Sequence, residues 1–198
     1  MSNSTNEKII AIDGPAGSGK STIAKALAKK LNLDYLDTGA MYRAVSFISI
    51  QQNIDVLDEK KVLAIAKEMD FNFEDGICVV NGFDATRDIR GSEVTRVVSV
   101  VAAMPTVRQE MVDRQRLWVK EKGGGVVEGR DIGSVVFPKA KVKVYLTASE
   151  EVRAERRIEQ EETLDASRVA DSIRKRDEAD KGRLNSPLVR SEGAIEID

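Results

Sequence analysis

Histidine is absent from all 198 residues and cysteine occurs once. Without imidazole, histidine-ligated metal sites and catalytic triads that depend on it are excluded. The single thiol, Cys78, cannot form an internal disulfide and fits a reducing compartment. It lies within the apolar run Ile77-Cys78-Val79-Val80, the setting of a small buried side chain rather than a reactive nucleophile. No apolar run approaches the length that spans a bilayer. The polar start Ser2-Asn3-Ser4-Thr5-Asn6 lacks the apolar stretch of a secretory signal. A cytoplasmic chain without membrane partners is therefore expected. Basic residues are not in excess either: the formal net charge of −2 argues against a nucleic-acid partner. The sole tryptophan, Trp118, groups with Val107, Met111 and Val112 as core and is assigned no ligand. Length and composition allow one full core, with a small inserted subdomain at most, and show no internal repeat.

What is present is organised around Gly14-Pro15-Ala16-Gly17-Ser18-Gly19-Lys20-Ser21, which fits G-x-x-x-x-G-K-[ST]. Upstream, Lys8 to Asp13 reads as a buried parallel strand. Downstream, Thr22 to Leu31 places Ile23, Ala26, Leu27 and Leu31 at helical spacing. A loop between strand and helix presents consecutive amides, and the positive helix end, to phosphate oxygens. Lys20 is placed to reach the β- and γ-phosphates of ATP, and the Ser21 hydroxyl to ligate Mg²⁺.

Further along, Asp34 to Asp37 reads as a strand, with Thr38 as N-cap of a helix bearing Met41, Val45 and Ile48. Asp37 and Arg43 sit near that strand end. A helix over about Asp58–Glu68 precedes two short strands, Phe71–Phe73 and Ile77–Val80, and the Asn81-Gly82 hairpin signal. This antiparallel unit interrupts a β/α alternation and suggests an insertion that covers an acceptor substrate. Helices follow over Ser92–Ala103 and Pro105–Lys122, then a strand at Val126–Glu128 that runs into Gly129-Arg130-Asp131-Ile132-Gly133. Val142–Leu146 is another strand. Arg153, Arg156 and Arg157 cluster on the next helix. On a helix from Asp165 to Lys181, Arg176, Asp180 and Arg183 fall at i, i+4 and i+7, on one face. Ala194–Ile197 closes the chain as a last strand.

A phosphate loop alone admits switches, motors, ATPases and kinases. The guanine-reading tetrapeptide N-K-x-D does not occur, and motors usually need more chain. An inserted subdomain and arginine-bearing helices suit a small kinase with a closing lid. A phosphate acceptor, with a second pKa near 6, is already a largely ionised nucleophile at neutral pH and needs no general base. It needs cations to offset repulsion between two anionic phosphates. Poverty in histidine with richness in arginine favours such an acceptor, although Asp37 or Asp131 would still serve a hydroxyl.

Several stretches together resemble bacterial cytidylate kinase. They are Ile10–Thr22, Leu36-Asp37-Thr38-Gly39-Ala40-Met41-Tyr42-Arg43, Ile89-Arg90, Val98–Ala103, Pro105–Arg108, Glu128–Gly133 and Arg176–Arg183. The resemblance runs in order over nearly the whole chain. It implies an α/β fold, a P-loop NTP hydrolase-like parallel sheet flanked by helices, with an inserted antiparallel nucleoside-monophosphate-binding subdomain and a helical lid. One domain over 1–198 is expected, with core about 8–55, 105–150 and 185–198, the CMP-binding insertion about 56–104, and the lid about 150–184. The implied reaction moves the ATP γ-phosphoryl to CMP or dCMP, with Mg²⁺, in a monomer. The alternatives are a P-loop kinase for another nucleoside monophosphate or a shikimate-like hydroxyl, and a nucleotide-dependent switch. By the resemblance, Gly14 to Thr22 with Arg153 and Arg157 bind ATP, and Lys20, Arg43, Arg130 and Arg183 are catalytic. Arg43, Arg130 and Arg183 hold the acceptor phosphate; Ser99, Arg108 and Asp131 read the base; Arg176 and Asp180 hold the sugar. Asp37 and Thr38 complete the CMP set, Thr38 keeping the hydroxyl of the serine common in relatives. Relatives continue past the last strand into another helix, so an apolar patch is expected beside that strand.

Overall fold

The computed structural model describes residues 8–74, 76–161 and 166–198. In chain order its regular elements are β1 (Ile9–Asp13), α1 (Lys20–Leu31), β2 (Tyr35–Asp37), α2 (Thr38–Gln51) and α3 (Glu59–Glu68). Strands β3 (Phe71–Glu74), β4 (Ile77–Val80) and β5 (Phe83–Asp84) come next, then α4 (Ser92–Val101) and α5 (Pro105–Lys122). The chain continues through β6 (Gly125–Gly129), β7 (Val142–Leu146), α6 (Glu150–Glu161), α7 (Ala166–Lys181) and β8 (Ile195–Ile197). Two compact units result, one formed by the chain up to Tyr35 with Lys122–Asp198, the other by Leu36–Glu121.

The first unit is built on strands in the order β6-β1-β7-β8. β1 runs parallel to both β6 and β7, and β7 parallel to β8. Every residue of β1 and β6 is buried. A central parallel strand has both faces covered, which is why Ile9-Ile10-Ala11-Ile12 shows no polar alternation. Helix α1 lays Ala24 and Ala28 against Ile10, Ile12, Val126 and Leu146. The two alanines let the helix axis approach the sheet closely. Ile23 and Leu31, expected on the apolar side with Ala26 and Leu27, are instead about half exposed, and Ala26 faces outward. The buried line of this helix runs through Lys20, Ala24 and Ala28, one turn apart. Helix α7 stops at Lys181, where the Gly182 N–H donates to the Glu178 carbonyl at 2.8 Å. Arg183 thus lies beyond the helix rather than on its i+7 position. On β8, Ile195 and Ile197 are 60% and 46% exposed.

The second unit carries the β3-β4-β5 antiparallel sheet and helices α2 to α5. Asn81 (φ +50°) and Gly82 (φ +77°) make the two left-handed positions of a tight hairpin between β4 and β5. Asp37, not Thr38, caps α2: its carboxylate accepts the Ala40 N–H at 3.1 Å, and Thr38 is the first helical residue. A carboxylate one residue earlier reaches the third helical amide, which leaves the threonine no capping duty. Asp58 caps α3 in the same way through the Lys61 N–H. Helix α4 ends at Val101, two residues before the expected Ala103. Along α5 the inner line is Val107, Met111, Gln115 and Val119. Trp118, next to that line, is only half-buried and not core. No helix among the described residues is long and apolar enough to cross a membrane.

Candidate active site

In the first unit β1 ends at Asp13 and β6 at Gly129, and the two residues lie opposite each other in parallel register. Ligands of open parallel sheets bind outside the carboxyl ends of the strands, the edge at which Asp13 and Gly129 both stand. The loop from Gly14 to Gly19 starts there. At Gly14 an added Cβ would fall 2.0 Å from the Leu146 backbone oxygen, so no larger residue fits. Gly19, at φ +92°, precedes α1 as its N-cap and supplies no side chain, leaving the first-turn amides for an anion.

Lys20 is 6% exposed, and its Nζ donates to the Pro15 carbonyl at 2.6 Å and reaches Ser18 Oγ at 3.4 Å. Burial, then the like charges of Arg130 and Arg176, push its pKa down to about 7, against the pull of Glu128 and Asp13. Glu128, buried on β6, accepts a hydrogen bond from the Tyr35 hydroxyl. Asp13 accepts two backbone N–H groups, from Ile132 and Gly133, at 2.8 Å each. Burial drives its pKa up to about 6, with Asp131 adding like charge; the two amide bonds and Lys20 act the other way.

Directly after β6, Arg130 Nε donates to Asp180 Oδ2 at 2.7 Å, and Arg183 donates to the other oxygen of the same carboxylate. Burial raises the Asp180 pKa, but Arg130, Arg183 and Arg176 more than offset it and hold the group below the usual carboxylate range. Asp180 is 1% exposed, so three guanidinium groups converge on one dry carboxylate. Fixed planar forks of this kind suit the oxygens of a phosphate. The Asp131 side chain is buried.

Helices α6 and α7 reach the loop directly. Arg153 is buried and donates to the Ala148 and Ala16 carbonyls at 3.1 Å each and to Asp177. Asp177 in turn accepts the Ala16 N–H at 3.1 Å, and Arg156 donates to the Ser18 carbonyl at 3.2 Å. The side chain of Arg157 lies outside the described residues.

The second unit holds the other expected residues. Arg43 on α2 is buried, and its Nη1 donates to the Ile89 carbonyl and to Thr95 Oγ1 at 3.0 Å each. Arg108 on α5 is buried, donates to the Ala102 carbonyl at 3.0 Å, and stacks its guanidinium 5.5 Å from the Tyr42 ring centroid. Asp37 pairs with Arg90 at 3.3 Å, Thr38 is buried, and Ser99 is half-exposed on α4. The structure therefore gathers Lys20, Arg130, Asp131, Arg153, Arg176, Asp180 and Arg183 in the first unit, and Asp37, Thr38, Arg43, Ser99 and Arg108 in the second. Sequence reasoning assigned no role to Asp13, Glu128 or Asp177. For the first two the signal is a carboxylate inside an otherwise apolar parallel strand; nothing local marks Asp177.

Residues 10–198 match the family model described as Cytidylate kinase. The cytidylate kinases of Geobacillus sp. and Bacillus subtilis are each 46% identical over 197 residues, covering 96% of this chain and 88% of theirs. A bifunctional pantoate ligase/cytidylate kinase of Prochlorococcus marinus is 45% identical over 199 residues, covering 96% of this chain. The chain spans 39% of the length of that bifunctional relative. A glycine loop at the end of a central parallel strand, guanidinium groups converging beside it, and a family match over almost every residue agree: the chain belongs to the cytidylate kinase family.

Proposed function

We propose that this protein transfers the γ-phosphoryl group of ATP to CMP or dCMP, giving ADP and CDP or dCDP. The observation that carries the reading is the buried meeting of Arg130 and Arg183 on Asp180, in the same unit as the glycine loop and Lys20. Phosphoryl transfer asks little covalent chemistry of a protein and much positive charge in fixed positions. The chain has no histidine to act as base. A phosphate nucleophile needs none.

In this reading the loop residues Gly14 to Thr22, Lys20 among them, and the lid arginines Arg153 and Arg157 bind ATP. Arg43, Arg130 and Arg183 hold the acceptor phosphate, Ser99, Arg108 and Asp131 read cytosine, and Arg176 and Asp180 hold the sugar, with Asp37 and Thr38 completing the set. Cytosine turns an N4 donor toward a carboxylate, whereas uracil turns an O4 acceptor. Asp131 thereby favours cytosine. The protein acts as a cytoplasmic monomer, as a single kinase domain with its CMP-binding insertion over about 56–104 and lid over about 150–184.

Mg²⁺ is the implied metal. Among the described residues no group of three or more acidic, cysteine or histidine side chains is placed to hold a metal. A single hydroxyl in the first turn of the helix, at Ser21, fits Mg²⁺, which binds through few protein ligands and takes the rest from phosphates and water. Ser21, at the second position of α1, is the ligand. When bound, the ion offsets charge on the β- and γ-phosphate oxygens.

A coupled assay of ADP release with CMP, dCMP, UMP, AMP, GMP and shikimate tests the proposal. Preference for CMP or dCMP is expected; preference for another acceptor refutes it, and ATP binding without acceptor-stimulated ADP release points to a switch.

A further inference from the structure

We propose that Asp13 is a positioning residue for acceptor recognition: it clamps the turn after β6 and so sets the directions of Arg130 and Asp131. The inference rests on the proposed roles of those two residues. Asp13 is 2% exposed, and both of its carboxylate oxygens are committed to backbone, Oδ1 to the Ile132 N–H and Oδ2 to the Gly133 N–H, at 2.8 Å each. These two amides belong to the turn that follows Arg130-Asp131 without a gap. Asp131 itself has φ −143° and ψ 24°, an irregular conformation between the strand and the turn. Pinning the next two amides on one carboxylate determines where that residue points.

The same side chain sits one peptide before Gly14, where the glycine loop begins. One residue thus anchors the base of the donor loop and the acceptor-reading turn to each other, through the parallel register of Asp13 with Gly129. A charged carboxylate here is costly, because burial and the neighbouring Asp131 both oppose ionisation, and only Lys20 and the two amides favour it. No other side chain of this size accepts two hydrogen bonds in a fork. Asparagine has the same shape, but its amide nitrogen only donates. Asp13→Asn therefore leaves one buried N–H facing an N–H₂ group and lets the turn swing away.

The test uses the full chain and compares the wild type with Asp13→Asn. Acceptor recognition is expected to suffer by roughly 5- to 150-fold in KM for CMP, the range for orphaning one buried amide. The CMP-over-UMP ratio of kcat/KM falls with it. ATP affinity, measured by direct binding of a fluorescent analogue, falls by a smaller factor than CMP recognition, because Asp13 acts on the donor side through the charge of Lys20 and not through a hydrogen bond to it. A general loss of structure would weaken ATP and CMP equally, and that result overturns the proposal, as does unchanged discrimination between CMP and UMP. If the wild type itself shows no CMP-dependent turnover, the proposed function fails first, and the clamp is judged on hydrogen exchange alone. The same measurement decides if the variant does not fold. In the wild type the Ile132 and Gly133 amides should be protected like those of β1. Exchange at the rate of an open loop removes the clamp.

Discussion

The titration of Lys20 offers the sharpest test of how the loop works. Its ammonium is buried beneath the loop, donates to the Pro15 carbonyl at 2.6 Å, and has Arg130 and Arg176 as like-charged neighbours. The folded protein therefore releases this proton near pH 7 instead of 10.5. Below pH 7 the folded and unfolded chains both carry the proton, and the folded state bears the whole cost of burying it. Between pH 7 and 10.5 that cost fades as the folded chain gives the proton up, so the Lys20 contribution to stability improves with rising pH across this window. A bound triphosphate places opposite charge against Nζ and restores the ammonium. At pH 8 the nucleotide-free lysine is mostly deprotonated, so ATP binding should take up most of a proton per site, and the uptake fades as the pH falls below 7. Titration calorimetry in buffers of contrasting ionisation enthalpy reads this uptake directly. The Lys20→Met variant supplies the correction for protonation of the nucleotide itself. Binding heats at pH 8 that do not depend on the buffer refute the reasoning, and so does equal uptake by the variant.

Asp131→Ala should lower the CMP-over-UMP preference roughly 10- to 100-fold while leaving ATP binding intact, and an unchanged ratio in the acceptor assay removes Asp131 as base reader. Gly14→Ala should abolish ATP binding, because its Cβ would meet the Leu146 backbone oxygen at 2.0 Å; a variant that binds ATP like the wild type contradicts the packing described. Gly82→Ala is the contrast: nothing lies within 4 Å of the added carbon, so only the left-handed φ of +77° is penalised. Urea unfolding should show a loss of about 1 to 2 kcal/mol there, with activity retained. Cys78 is fully buried and its thiol is pushed up to about 11 by burial. It should resist an aromatic disulfide reagent at pH 8 in the folded protein and react fully once denatured; rapid labelling of the native chain would disprove its placement.

Much of the fold is legible in the sequence because its signals are local. The α5 and β7 boundaries coincide with the spans read from periodicity and from Pro105 at a first helical position. The Asn81-Gly82 turn follows from the two left-handed positions that the dipeptide tolerates. The phosphate loop declares itself through glycines spaced for backbone approach. Where two local signals compete, the sequence misleads: Asp37 takes the cap from Thr38, and the inward line of Lys20, Ala24 and Ala28 leaves Ile23 and Leu31 at the surface.

The chain by itself determined which kinds of group are present: a glycine loop, an arginine set, no imidazole, and strands and helices in β/α alternation. The tertiary structure alone decided which groups meet. Asp180 joins Arg130 across 50 residues, Asp13 holds Ile132 across 119, and Asp177 holds Ala16 across 161. No pattern of period 2 or 3.6 encodes such meetings, because they depend on strand order and on which carboxylates the parallel sheet buries side by side. Periodicity fixes which face of an element turns inward; only the packed sheet determines what that face finds there.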